Sequence, residues 1–347
     1  MNPKSNNFYF PAEWHPHEAT WITFPHNDHS WQGDKLQKMY PEYFALIREI
    51  AKGEKVYINV HDEVLKDYIT SQLPVYGIDE KQIVFHLHKT NDAWCRDHGP
   101  AFLIKQETRE KLIVDWGYNA WGGKYPPYHD DNDLPAAIAD FKGLPMVSPG
   151  IIMEGGSVEF NGKGTVLTSR SCLLNPNRNP HLSQAQIEQY LCDYYGVEQV
   201  LWVSDGIVGD DTDGHIDDTV RFVKEDTVVA VVENDSTDDN FHVLQKNLSE
   251  LKEMRLLNGK PLHIVELPMP EAVVIDDFRA PGSYANFYIC NAGVLVPTFD
   301  CPQDAIALEI LSTLFTDRPV IGLSAKQIIW GQGSFHCLTQ QEPRFEL

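Results

Sequence analysis

The chain is short of cations. It carries 28 Lys and Arg against 50 Asp and Glu, a formal net charge of −22 over 347 residues. Proteins that bind nucleic acid neutralise phosphates with basic patches, so no nucleic-acid partner is expected. An acidic surface instead speeds the approach of a small cation. Long apolar runs are missing too. No stretch approaches the roughly 18 residues of a membrane helix, and no membrane partner is expected. Met1 to Pro11 is polar and aromatic and lacks the apolar run of a secretory leader. The six cysteines, Cys95, Cys172, Cys192, Cys290, Cys301 and Cys337, form no C-x-x-C pair and no zinc spacing. They read as reduced thiols of a cytoplasmic protein. No low-complexity segment or linker interrupts the chain, so residues 1–347 read as one domain.

What is present alternates between strand and helix. Residues 21–24, 56–60 and 83–87 read as strands, and 36–51 and 63–73 as helices. In the first helix Tyr40, Phe44, Ile47 and Ile50 recur at helical spacing. From Asp97 onward a pattern repeats: an acid-bearing loop, two strands joined by a short turn, then a helix. Asp97 precedes strands at 101–104 and 112–116. Glu154 precedes 157–160 and 165–168, joined by Asn161-Gly-Lys-Gly164, a hairpin signal. Asp217 precedes 219–223 and 227–232, and Ser283 precedes 287–290 and 294–297. Helices are expected at 135–141, 183–195, 240–254 and 303–315. Intervals of roughly 60 residues suggest diverged repeats of a strand–strand–helix–strand unit. If the units close around an axis, Asp97, Glu154, His215, Asp217 and Cys337 meet at its centre. An open α/β sheet is the alternative arrangement.

The last twenty residues carry the most pointed chemistry. Cys337 lies in Trp330-Gly-Gln-Gly-Ser-Phe-His-Cys337, where Gly331 and Gly333 let the backbone turn and approach a ligand. His215 and Asp217 in Gly214-His-Ile-Asp217 face the same side if that segment is extended. Glu154 precedes two glycines, and Asp97 lies beside Trp94. Carboxylates, a histidine and a cysteine without a metal pattern suit one substrate well. A planar guanidinium can be held bidentately by two carboxylates while a thiolate attacks its carbon. Histidine can then protonate departing ammonia and later activate water, with a carboxylate bonded to that histidine fixing its tautomer. The loop Trp121-Gly-Gly-Lys124 reads either as a plain connection or as a lid.

Several motifs together resemble the agmatine deiminases, a group placed with the bacterial peptidyl-arginine deiminases. They are Trp94-Cys-Arg-Asp-His-Gly-Pro100, Glu154-Gly-Gly156, Leu174-Asn-Pro-Asn-Arg-Asn-Pro180, Gly214-His-Ile-Asp217, Ser283-Tyr-Ala-Asn-Phe-Tyr288 and His336-Cys-Leu-Thr-Gln-Gln-Glu-Pro343. The similarity runs from Pro11-Ala-Glu-Trp14 to the C-terminus. It implies an α+β pentein-type fold, an α/β propeller of five pseudo-repeats around a central site. It further implies hydrolysis of agmatine to N-carbamoylputrescine and ammonia, a step of putrescine formation, with no cofactor and no metal. By the same resemblance Cys337 is the nucleophile, His215 the proton shuttle and Glu154 the acid beside substrate and histidine. Asp97 and Asp217 are the guanidinium-binding pair. Substrate contacts are expected from Asp97, Asp217, Glu154, Trp94, Trp121 and Gly333. The loop before His336 departs from the family pattern, with Gln332 interrupting its glycines and Ser334-Phe335 following.

Other readings stay open at this point. Deimination of free or C-terminal peptidyl arginine would need a cation for the α-carboxylate, with Arg96, Arg178 and Arg221 as candidates. Arg96 and Arg221 are expected to pair with nearby acids instead, and Arg178 to brace its loop. A metal-dependent hydrolase would use Asp210, Asp211, Asp213, His215 and Asp217. A protein that only binds guanidinium has no need of Cys337. The expected partner is a small cationic guanidino compound, and a homo-oligomer is neither required nor excluded.

Overall fold

The structure, a computed structural model, describes residues 1–346. Its frame is a set of small sheets. The first contains β1 (His17–Thr23), β2 (Lys55–Val60) and β3 (Ile83–Leu87). The second contains β4 (Ala101–Lys105), β5 (Glu110–Val114) and β6 (Met146–Val147), and the third β7 (Val158–Phe160), β8 (Thr165–Ser169) and β9 (Gln199–Val203). The fourth contains β10 (Val220–Lys224), β11 (Thr227–Val232) and β12 (His263–Pro268). After a hairpin of β13 (Val274–Ile275) and β14 (Phe278–Arg279) comes the last, β15 (Tyr288–Cys290), β16 (Gly293–Thr298) and β17 (Val320–Ser324). In the second, third, fourth and last sheets the first two strands are antiparallel and the third is parallel to the second. A parallel partner needs a crossover, which a helix supplies each time.

The first sheet acquires the same pattern from the other end of the chain. β18 (Thr339–Pro343) pairs antiparallel with β1, with Thr339 opposite Ile22 and Gln341 opposite Thr20, while β1 and β2 are parallel. The strand that follows Cys337 is thereby fixed against the first strand. The third strand expected of each strand–strand–helix–strand unit is β6, β9, β12 or β17, for which the sequence supplied no bounds, and β18 has no counterpart in the strand assignments drawn from sequence. Leu112–Trp116 also shifts, the strand ending at Val114.

The longer helices sit where periodicity places them: α1 (Lys35–Ile50), α2 (Glu63–Gln72), α3 (Leu134–Lys142), α4 (Gln184–Tyr195), α5 (Phe241–Glu253) and α6 (Gln303–Leu314). On α1 Met39, Tyr43, Phe44, Leu46, Ile47 and Ile50 are buried in one stripe. Burying each such side chain contributes about 1.5–3 kcal/mol. Ser183 and Gln186 form a reciprocal cap at the start of α4, satisfying N–H groups that the first turn leaves free. The Asn161–Gly164 connection turns through Gly162 at φ +66°, a left-handed position that glycine occupies without strain. Among the described residues no helix is long and apolar enough to cross a membrane.

Candidate active site

Each segment that leads into an antiparallel first strand carries site residues. Before β4 stands the short helix Cys95–His98 with Asp97; before β7, Glu154 and the turn Gly155–Ser157. Before β10 come His215 and the turn Ile216–Asp218; before β15 comes Asn286, and before β18 His336 and Cys337. Segments far apart in sequence therefore meet in space. Gly156 is the point of convergence. A Cβ there would stand 2.6 Å from His215 Nδ1, 2.8 Å from Asp97 Oδ1 and 3.1 Å from Asp217 Oδ2, so only glycine fits.

Asp97, Glu154, His215, Asp217 and Cys337 are all buried. Asp97 accepts from Trp121 Nε1 at 3.0 Å and from the Gly156 N–H at 2.9 Å. Burial, with Asp217 and Glu154 nearby, pushes its carboxyl far up. Burial acts on Asp217 in the same direction, but a hydrogen bond and the charge of His336 outweigh it and hold Asp217 low. Cys337 Sγ lies 3.7 Å from Asp217 Oδ2 and accepts a 3.1 Å bond from Asn286 Nδ2. Its thiol is pushed well up by burial and by the acids Asp217, Asp218 and Asp97. Glu154 Oε1 accepts from Arg178 Nε at 2.6 Å, and Oε2 has no partner among the described residues. Burial raises the Glu154 carboxyl despite Arg178.

His215 departs from two expectations. Its segment is not extended: Ile216–Asp218 forms a tight turn, and that turn rather than strand alternation brings His215 and Asp217 to one site. Nor does a carboxylate bond its ring. Among the described residues neither ring nitrogen has a hydrogen-bond partner, and Asp97 Oδ1 is 3.7 Å from Nδ1. Burial depresses the ring to about 3, so it is neutral. The histidine hydrogen-bonded to Asp217, at 2.7 Å through Nδ1, is His336.

The site opens into a cavity of about 690 Å³ lined by Trp94, Asp97, Trp121, Gly333 and Cys337, with Asp28, Asp92, Asp131 and Asp211 on its walls. Trp94 stacks on Trp31, with ring centroids 5.3 Å apart. A Cβ at Gly333 would meet the Trp94 ring at 2.4 Å, so this glycine lets the nucleophile loop lie flat on the tryptophan. Gln332, which interrupts the glycines of this loop, holds a left-handed φ of +71°. Trp121 is itself left-handed at φ +55°, buried, and folded in onto Asp97, which favours the lid over the plain connection.

The three arginines are taken. Arg178 binds Glu154 and Asp213, Arg221 binds Glu159 and Glu13, and Arg96 binds Gln341 and Glu13. The acids of the metal reading are also spoken for. Asp213 takes Lys124 and Arg178, Asp210 accepts from Thr212 and the His215 N–H, and Asp211 meets Tyr125. The metal-ligating groups that do gather among the described residues are Glu154, Cys172 and His215, within 4.8 Å of one another. The Arg178 guanidinium on Glu154 opposes a cation there. Sequence reasoning gave no part to Glu13, Cys172 or Asn286, nor to the ring of His336. Glu13, Asn286 and His336 nevertheless lie inside the motifs that carry the resemblance.

A family model described as Porphyromonas-type peptidyl-arginine deiminase matches residues 9–343. Agmatine deiminase of Pseudomonas putida is 35% identical over 365 residues, covering 98% of this chain and 97% of that one. The solved agmatine deiminase of Enterococcus faecalis has a TM-score of 0.92 at 30% identity, covering 99% of this chain and 98% of that one. A cysteine-to-serine variant of C. jejuni agmatine deiminase, solved with substrate bound, has a TM-score of 0.87 at 30% identity, covering 98% and 97%. Likeness in fold alone extends to an amidinotransferase of Microseira wollei, at TM-score 0.55 and 11% identity. With the match spanning nearly every described residue, from before the first strand through the last, the chain belongs to the Porphyromonas-type peptidyl-arginine deiminase family.

Proposed function

We propose that the chain is an agmatine deiminase, a hydrolase acting on the C–N bond of a linear amidine, working as one catalytic domain over 1–347 in the cytoplasm. Its repeated sheets form a five-unit pentein propeller with the buried acids and Cys337 at the centre. Asp97 and Asp217 hold the guanidinium N–H groups, and Trp94, Trp121 and Gly333 wall the substrate in. The Cys337 thiolate attacks the guanidinium carbon. His215, neutral in the empty site, takes the proton that the Cys337 thiol gives up, and the tetrahedral adduct expels ammonia with that proton, leaving an amidino thioether. His215 then removes a proton from water, the hydroxide adds to the same carbon, and the thiolate leaves with N-carbamoylputrescine as product. Glu154, with Oε2 free, faces the substrate nitrogens and supports the charged histidine. No cofactor is used.

The raised thiol of the empty site fits this scheme. Binding sets a cation against Asp97, Asp217 and Cys337 together. An opposite charge within a few ångströms favours the ionised form of each, so the substrate itself lowers the thiol and the Asp97 carboxyl.

One observation carries agmatine over arginine. Arg96, Arg178 and Arg221 are each bound to buried acids, and Lys124 on the cavity wall is bound to Asp211 and Asp213, while Asp28 and Asp211 also face the cavity beside Asp92 and Asp131, whose carboxyls burial pushes up. An α-carboxylate would meet like charge there, and a second amine would not. Ammonia release from agmatine, free arginine and a peptide ending in arginine tests this. The expected kcat/KM for agmatine is at least about a hundredfold higher, roughly 2.7 kcal/mol of discrimination. Equal or better turnover of either arginine substrate would reassign the substrate and leave the Cys337 chemistry standing.

A further inference from the structure

Glu13, Glu159, Arg221 and His336 do not line the cavity and form a cluster of buried charges next to the site. His336 immediately precedes Cys337, and its ring spans two carboxylates. Nδ1 stands 2.7 Å from Asp217 Oδ2, and Nε2 stands 2.7 Å from Glu13 Oε2. Ionised carboxylates only accept hydrogen bonds. Both ring nitrogens must then carry hydrogens, which makes the ring an imidazolium, unless one carboxyl holds the proton instead. Glu13 is a poor place for that proton. Its Oε1 accepts from the Ile289 N–H at 2.8 Å and faces Arg221 Nη2 at 3.0 Å, and its Oε2 faces Arg96 Nη2 at 3.4 Å. Burial would push Glu13 up, but Arg221, His336 and Arg96 hold it well below the usual carboxylate range.

We propose that Glu13 keeps His336 as a buried imidazolium, and that this cation is a positioning group which holds Asp217 ionised and aimed at the guanidinium. The proposal rests on the guanidinium-binding part given to Asp217 above. Asp217 Oδ2 is tied to the ring, while Oδ1 is buried and has no partner among the described residues, which leaves it for the substrate. A neutral ring has one hydrogen to give and would leave either Glu13 or Asp217 unbonded. Such a ring would also remove the charge that opposes protonation of Asp217. The backbone fixes the ring's place: the His336 N–H donates to Asn286 Oδ1 at 3.0 Å, and its carbonyl accepts from Arg96 Nε at 3.2 Å.

The charged and titratable groups around the ring come from several elements. They are Glu13 from the N-terminal segment, Arg96 from the short helix, Glu159 from β7, His215 and Asp217 from the turn before β10, Arg221 from β10, and the adjacent Cys337. Arg221 is itself engaged by Glu159 at 2.9 Å and by the carbonyls of Ala285 and Phe287, at 2.9 and 2.7 Å. No other cation is hydrogen-bonded to Asp217 among the described residues.

The test is nitrogen NMR of the full-length protein labelled at histidine, with the His336 signals assigned by their loss in His336→Gln. Both His336 nitrogens should keep imidazolium shifts from pH 6 to pH 9. Glu13→Gln preserves shape and removes charge. In it a titration should appear within that range, the ring becoming neutral as pH rises. Its kcat/KM for agmatine should fall at least about tenfold at pH 9, mostly through KM, with a smaller deficit at pH 6 where the imidazolium survives. Glu13→Asp should recover part of the loss. Neutral shifts in the wild-type protein at pH 6–9 would overturn the proposal, as would a Glu13→Gln protein with unchanged shifts and pH profile. The NMR arm needs no turnover, so it stands or falls separately from the choice of agmatine as substrate. It also decides the matter in the wild-type protein if Glu13→Gln fails to fold.

Discussion

Asp97 and Asp217 face the same glycine from two sides and are equally buried, yet their surroundings oppose each other. Asp97 has two neutral donors, an indole N–H and a backbone N–H, and its carboxyl is pushed up. Asp217 has a histidine at 2.7 Å and its carboxyl is held down. At equal burial the neighbours decide the charge. The empty site therefore sets an acid held low beside one pushed up, and the cation that evens them out is the substrate.

The comparison presupposes a nucleophile between the two acids, so the largest effect is expected there. Cys337→Ser should lose at least about four orders of magnitude in kcat, because an unactivated hydroxyl attacks far more slowly than a thiolate. In a His215 variant stalled at the second step, mass spectrometry should find an adduct on the Cys337 peptide. An adduct on Cys95, or an active serine variant, would remove the basis of the comparison.

The two amides come next. Asp217→Asn leaves the His336 ring without one of its carboxylates, and breaking a buried pair costs about 3–5 kcal/mol. Asp97→Asn loses a charge-assisted bond formed only with substrate, worth about 1.5–3 kcal/mol, and should cost roughly tenfold to a hundredfold in kcat/KM. In the empty protein the stabilities should move in opposite directions, down for Asp217→Asn and up for Asp97→Asn. The folded-state value of Asp97 lies above its unfolded value, so the native protein is penalised above about pH 4. The penalty grows as pH rises towards the folded value. Hence the gain from Asp97→Asn should increase from pH 5 to pH 8, by at most about 1.4 kcal/mol per unit. Denaturant midpoints of both variants across that range decide it. Equal shifts, or a gain that shrinks with pH, would mean that the two acids are alike.

The smallest effect is expected from chelation. With Asp210, Asp211 and Asp213 bound to cations, hydroxyls and backbone, exhaustive removal of divalent ions should leave the rate within about twofold. Activity lost and then restored by a metal would replace the cysteine scheme altogether.

The sequence was most legible where periodicity and turn chemistry work over short range. The stripe on α1 and the Asn161–Gly164 hairpin were placed to within a residue or two. It was least legible where polar residues are buried. Thr339-Gln-Gln-Glu-Pro343 has no apolar alternation, yet β18 is buried along its whole length, with Glu342 accepting from Trp21 Nε1 and paired with Lys111 and Lys142. Hydrophobic pattern cannot find such a strand. The five central residues were named through motifs and do converge, but which histidine Asp217 bonds was not readable. Asp217 and His336 are 119 positions apart, and that contact belongs to the closed chain, not to either motif.

The pairing of β18 with β1 also sets the order in which the molecule can be built. Trp21 and Glu342 are separated by 321 positions, and the contact between Glu13 and His336 by 323. Each sheet between them closes a loop of roughly 60 residues, and the final closure costs only about 1.5 kcal/mol more than those in loop entropy. In time the difference is larger. A ribosome adds about 5–20 residues per second, so the first four sheets emerge many seconds before the last strand. Until that strand docks, His336 has no Glu13, Asp217 has no imidazolium, and Cys337 has no acids around it. A partly made chain thus holds most of its core and the acids of the site but neither its nucleophile nor the His336 ring. The thiol is aligned for chemistry only when the two ends of the chain have met.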